Sequence, residues 1–153
     1  MLGMALAGGY NTLTVTRGTN GVAMYHMTEE EFEAAVEAAL EAIPDQFLDA
    51  LENVVFTVAD EPEAEQLEAI DTEWAEVCDD ELLGLYEGTP LTDRGIYYGE
   101  SGGFPDVITI FKGPHERCFQ TREAIVEEIR KTVIHEVGHY FGNDEAMLVA
   151  MGY

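Results

Sequence analysis

The sequence predicts one domain that mixes helices with strands, and three observations lead there. A length of 153 residues suits a single hydrophobic core. Apolar residues recur at helical spacing near both ends of the chain, at Phe32, Val36, Ala39 and Ile43 and again at Ile125, Ile129, Val133 and Val137. Between them lie three short apolar runs, at residues 54–59, 82–86 and 107–111, bounded by turn-forming residues as strands are.

Each element has its own warrant. Residues 1–27 read as a weakly specified leader, because Leu13 and Val15 alternate with threonines but Gly and Asn surround them. The domain, residues 28–153, opens on a capping box: Thr28 caps a helix and Glu31 reaches back to it. Pro44 ends that helix, and Phe47, Leu48 and Leu51 suggest a second, short one. Residues 54–59 are apolar on both faces, which predicts a buried strand. Residues 60–81 form an acidic insert in which Leu67, Ile70, Trp74 and Val77 fall at helical intervals.

The run at 82–86 closes in a turn at residues 87–90, and residues 95–106 form a glycine-rich loop in which 96–98 is the one stretch suited to a short strand. Residues 107–111 make a further strand, stopped by Gly113 and Pro114. Thr121 opens the last major helix, with Glu123 near its positive end and Glu127 four residues before Lys131. Gly142 ends it, and Met147, Leu148 and Met151 mark a short helix after it.

Charge narrows the function. Seven basic residues stand against 31 acidic ones, a net charge of −24. Phosphate backbones are bound by Lys and Arg, so nucleic acid is excluded as a ligand, and anionic membrane surfaces are disfavoured in the same way. No apolar run is long enough to span a bilayer. Cys78 and Cys118 are too few for a secreted disulfide framework, and the apolar segment near the start lacks a basic flank, so the chain is expected in the cytoplasm. The stretch between Arg17 and Arg94 holds no Lys or Arg, which makes it a solvated acidic face or an acidic docking surface.

The chemistry concentrates on the last helix, in His135-Glu136-Val137-Gly138-His139. Histidines four residues apart lie one turn from each other on one helix face, so both imidazoles can reach one tetrahedral ion. Glu136, on the adjoining part of that face, can approach a water on the ion without binding the ion itself. Gly142 suits the left-handed residue that ends a helix, after which the chain can turn back and present Glu145 as a third ligand. Asp144 competes for that place, or caps the following helix. Two histidines and a carboxylate leave a fourth position open for water, as catalytic zinc requires. In a chain of this composition a chance His-Glu-x-x-His has a probability of about 1–2%, and adding the glycine and the acid lowers it to about 0.03%. The pattern is specific.

Residues 135–145 resemble the zinc signature of zincin metallopeptidases, close to metzincins. More narrowly, Leu82-Leu83-Gly84-Leu85-Tyr86-Glu87-Gly88-Thr89-Pro90-Leu91, then Pro105-Asp106 before a strand, then His139-Tyr140-Phe141-Gly142, resemble the minimal bacterial zincin-like metallopeptidase family. The final motif position is Glu145 where that family usually has Asp, and the leader and the acidic insert are additions to its pattern. The resemblance implies a small α+β domain, with a short mixed sheet packed against the metal helix and an edge strand that pairs with extended substrate. Residues 107–111 are the candidate pairing strand, with an interior strand that has no substrate role as the alternative.

The expected activity is peptide hydrolysis with Zn2+ as cofactor and a peptide or protein as substrate. Zinc would lower the pKa of a bound water toward about 7, and Glu136 would take the proton and pass it to the leaving amine. Tyr97, Tyr98, His115 and Tyr140 are candidate oxyanion donors, each with a structural role as the alternative and His115 expected at the surface. His26 shows no partner in the sequence, and Ser101 lacks a base. A different class of function is an acidic interaction or regulatory module whose zinc site is structural or vestigial. Oligomeric state is open.

Overall fold

A computed structural model describes residues 24–68, 75–96, 98 and 104–143. Helix α1 (Glu29–Glu41) begins at the expected capping box: the Glu31 amide donates to the Thr28 hydroxyl at 3.1 Å, and the Thr28 amide donates to the Glu31 carboxylate at 2.9 Å. Its buried face carries Phe32, Val36 and Ala39. A single-turn helix α2 (Asp45–Leu48) follows Pro44. Strand β1 (Val54–Ala59) leads to a second single turn, α3 (Ala64–Leu67). Strands β2 (Ala75–Cys78) and β3 (Glu81–Glu87) form a hairpin; after a 3₁₀ turn at Leu91–Asp93 comes β4 (Asp106–Phe111). Helix α4 (Lys112–Cys118) then leads to the long helix α5 (Arg122–Tyr140).

The four strands form one mixed sheet in the order β1-β4-β3-β2, with β1 parallel to β4 and the other pairs antiparallel. This is the α+β class the family resemblance implies. One face of the sheet, through Ile108, Ile110 and Tyr86, joins α1 and α5 in the main core with Phe32, Ile125 and Ile129. Leu82, Leu85 and Phe111 form a smaller cluster with Val77 and Ala59, as alternation along β4 requires.

The two outer runs take the places their patterns left open or did not suggest. The run at 107–111 takes its interior alternative, bonded on both sides by β1 and β3. Residues 54–59, expected to be buried, form an edge strand along which partly buried and exposed positions alternate, Val55 being 47% exposed. Both are short β-branched runs, and the order of neighbours in a sheet is not written in any one of them.

The acidic insert also differs. Among its described residues the helix is α3 alone, and Val77 is in β2 rather than on a helix; Ile70 and Trp74 lie outside the described residues. The hairpin turns through Asp79 and Asp80, with φ of 48° and 65°. Aspartate tolerates this left-handed backbone better than most residues, but it is a weak turn signal beside Asn-Gly. The Tyr98 amide donates to the Gly95 carbonyl at 3.0 Å, a turn contact.

At the other end of the domain lies a polar anchor that no local pattern announces. Glu116, 6% exposed, accepts from the Met27 amide at 2.7 Å, lies 3.0 Å from His26 Nδ1 and pairs with Lys112 at 3.2 Å. His26 therefore has a partner, and Met27 is buried in the core. On α5, Lys131 pairs with Glu128, and Glu127 pairs with Arg130. Among the described residues no helix is long and apolar enough to cross a membrane.

Candidate metal centre

Helix α5 starts as expected, with the Thr121 hydroxyl accepting from the Ala124 amide. Its last turns press against β3, and Gly84 makes that approach possible. A Cβ there would stand 2.6 Å from Thr132 Cγ2 and 2.9 Å from Glu136 Oε1. A side chain at residue 84 would force the Thr132 and Glu136 side chains to move, just where the helix carries its polar residues.

Those residues, Thr132, His135, Glu136 and His139, are all at most 1% exposed. The two histidine rings meet edge to face with centroids 4.7 Å apart, as the four-residue spacing dictates. Each ring has an oxygen on Nδ1. For His135 it is the Glu76 carboxylate of β2, at 2.7 Å; for His139 it is the Asn143 carbonyl, at 3.0 Å. A carbonyl can only accept, so His139 Nδ1 carries the proton and its Nε2 the lone pair; the Glu76 carboxylate beside His135 Nδ1 favours the same tautomer there. That tautomer is the one in which two imidazoles donate through Nε2 to a single ion, each oriented by its other nitrogen. The donor set fits zinc.

The turn after the helix explains the second of these bonds. Gly142 has φ +88°, its amide donates to the His139 carbonyl at 2.9 Å, and the Asn143 amide donates to the Gly138 carbonyl at 3.0 Å. This is a Schellman cap. It brings the Asn143 carbonyl back beneath His139, so the glycine that redirects the chain also orients the second histidine. Thr92, from the 3₁₀ turn, packs directly on Gly142. The expected third ligand Glu145, its competitor Asp144, and Met147, Leu148 and Met151 lie outside the described residues, as do Tyr97 and Ser101.

Three of the oxyanion candidates are committed elsewhere. Asp106, at the start of β4, accepts from the Tyr86 hydroxyl and from Arg94 Nη2, both at 2.6 Å, and from the Tyr98 hydroxyl at 3.2 Å. Arg94 stacks between Tyr98 and Tyr140, whose hydroxyl takes the Glu52 amide at 2.8 Å. Burial beside the Asp106 carboxylate drives the Tyr86 hydroxyl pKa far above its ordinary value. Tyr86, Asp106 and Tyr140, separate fragments in the sequence, thus form one network that fixes the loop before β4 against the end of α5.

His115 is not at the surface: it is fully buried, donating from Nδ1 to the Phe111 carbonyl at 2.7 Å, with Nε2 facing the Thr132 hydroxyl at 3.3 Å. Burial pushes its pKa down to about 4, so it is neutral at pH 7. The Cys118 thiol is pushed up to about 12, first by burial, and it donates to the Cys78 carbonyl. It is a poor nucleophile at neutral pH.

Sequence reasoning missed Glu76. It sits in the stretch whose apolar spacing reads as helical, and nothing local distinguishes it from the other acids there.

The family model described as zincin-like metallopeptidase matches residues 51–153, from just before β1 to the end of the chain. No curated protein matches the sequence. The chain belongs to the zincin-like metallopeptidases, and hydrolase activity is the general class of function that membership supports.

Proposed function

We propose that this member of the family is a zinc-dependent peptidase in which His135 and His139 hold the metal through Nε2, Glu145 supplies the third ligand and Glu136 is the general base. The observation that carries the proposal is the matched state of the two histidines, side by side on one buried helix face with both Nδ1 atoms turned to oxygen acceptors. Zinc, when bound, supplies an electrophile that acidifies water and polarises a carbonyl. Glu136, between the two histidines in sequence and buried on the same helix, accepts the water proton and delivers it to the leaving amine. His135 and His139 stay neutral and keep their lone pairs for the ion.

Extended substrate pairs with a sheet edge by main-chain hydrogen bonds. With β4 interior, the edge suited to this is β2, the strand whose Glu76 touches His135.

Zinc content per chain, measured after purification without chelator or an affinity metal, should be close to one and should vanish in His139→Ala. Glu136→Gln should retain zinc while hydrolysis of a fluorogenic peptide pool falls by about 10²–10⁴-fold. Undiminished turnover in that variant, or a folded wild type without zinc, would overturn the proposal. Comparing zinc affinity in Glu145→Gln and Asp144→Asn identifies the third ligand, with the larger loss expected for Glu145→Gln.

An acidic interaction module remains the reading from a different class. It rests on Glu29, Glu30, Glu33, Glu37 and Glu41, all exposed along α1. Zinc without any hydrolysis would favour it.

A further inference from the structure

We infer that Glu76 is a positioning residue: its carboxylate holds the His135 ring in the orientation and tautomer needed to bind metal, and so ties the edge strand β2 to helix α5. The inference rests on the proposed metal site and extends it to a residue outside the signature helix.

Three observations converge on Glu76. Its Oε2 lies 2.7 Å from His135 Nδ1, an ion-pair contact, and the pair is shielded, with side-chain exposures of 19% and 1%. Its placement follows from the sheet. Glu76 is registered opposite Gly84, the residue whose missing side chain lets α5 approach β3. A carboxylate on β2 can therefore reach across that gap to the helix.

The third observation is an irregularity. The register of β2 on β3 shifts between Glu76 and Val77, and Val77 packs with the Leu82 cluster. Bulges of this kind re-aim side chains and gather beside functional sites. Here the shift separates a residue serving the core from one serving the helix.

The chemistry gives the contact a purpose. An imidazole rotates about its side-chain bonds and exchanges between two tautomers, and only one tautomer at one ring angle presents Nε2 to the ion. His139 has both fixed by a neutral peptide carbonyl that comes with the glycine turn. His135 has no such turn beneath it and takes a carboxylate from another strand. A carboxylate also raises the basicity of the ring it orients, strengthening the ligand. If substrate pairs along β2, the same contact sets the height of that strand relative to the metal.

The test compares Glu76→Gln and Glu76→Ala with Glu37→Ala, which removes one exposed acid from α1 and controls for net charge. In metal-free protein, long-range ¹H–¹⁵N spectra should show His135 as the Nδ1–H tautomer in wild type and Glu76→Gln, and a mixture in Glu76→Ala. Zinc affinity, measured by competition with a chromophoric chelator, should fall by about 10–100-fold in Glu76→Ala and less in Glu76→Gln, with Glu37→Ala near wild type. An unchanged His135 tautomer in Glu76→Ala, or a zinc loss no greater than in Glu37→Ala, would overturn the inference. The tautomer readout needs no metal. Failure of the zinc-site proposal would therefore show as absent zinc in wild type, separately from failure here.

Discussion

From Arg122 to Lys131, helix α5 buries Ile125 and Ile129 and turns Glu123 and Glu127 to solvent; from Thr132 to Tyr140, every residue except Ile134 is buried. The first half is an ordinary amphipathic helix, with an apolar stripe as the sorting rule. The second half buries two histidines and a glutamate against a strand that carries glycine to make room. Burying polar groups at such density costs folding free energy unless each is held by a partner. The partners named above, Glu76, Asn143 and the Arg94 network, come from the strands, turn and loop around that half. One half is organised by the hydrophobic effect and the other by the placement of buried polar groups.

The contrast can be broken at the support of the second half. Arg94→Met leaves Asp106 buried without its cation, and the pair is only 6% and 4% exposed. Breaking such a pair by removing one partner costs about 3–5 kcal/mol. A urea-unfolding midpoint close to wild type would show that the hydroxyls of Tyr86 and Tyr98 suffice for Asp106. In the first half the expected sensitivity is apolar. Ile129→Ala, at a fully buried position, should cost about 2–5 kcal/mol by the same measurement while zinc content stays near one per chain.

A pH series sharpens the comparison at the join between the halves. The His115 pKa is about 4 in the fold against 6.5 for an ordinary histidine, so the unfolded chain takes up the proton first as pH falls. The stabilisation from this group is complete above about pH 6.5 and is lost as pH falls toward 4, by as much as about 3 kcal/mol. Unfolding midpoints from pH 7.5 to 4.5 should fall more steeply in wild type than in His115→Gln. Equal slopes would mean that His115 is charged in the fold. The smallest effect is expected on the solvent side of the first half. Lys131→Ala, which breaks a pair with Glu128 at 3.4 Å and 43% lysine exposure, should change stability by about 0.2–1 kcal/mol.

The same division governs what could be read from the sequence. The capping box at Thr28, the stripe on α5, the histidine pair and the terminating glycine were legible because each is set by spacing along one element. The edge place of β1 and the interior place of β4 were not legible because they depend on which strand lies next to which. Val77 was misassigned because four apolar residues at helical intervals also occur by chance in a strand and its flanks. Glu76 and Arg94 carried no local signal, and Asp106 only a family resemblance without a role, since their roles arise from partners brought from distant parts of the chain. The motif marked out the buried polar residues of α5, and the fold supplied the groups that touch them.

The Asp79–Asp80 turn has a practical consequence. Both residues sit in left-handed backbone, which costs most L-residues roughly 1–2 kcal/mol apiece and aspartate somewhat less. The hairpin bearing Glu76 is therefore closed by a turn that opposes it, where Asn-Gly would favour it. Installing Asn-Gly would give laboratory evolution a stability margin inside the hairpin itself, without changing a residue that touches either histidine. Such a margin could be drawn on by later substitutions along β2.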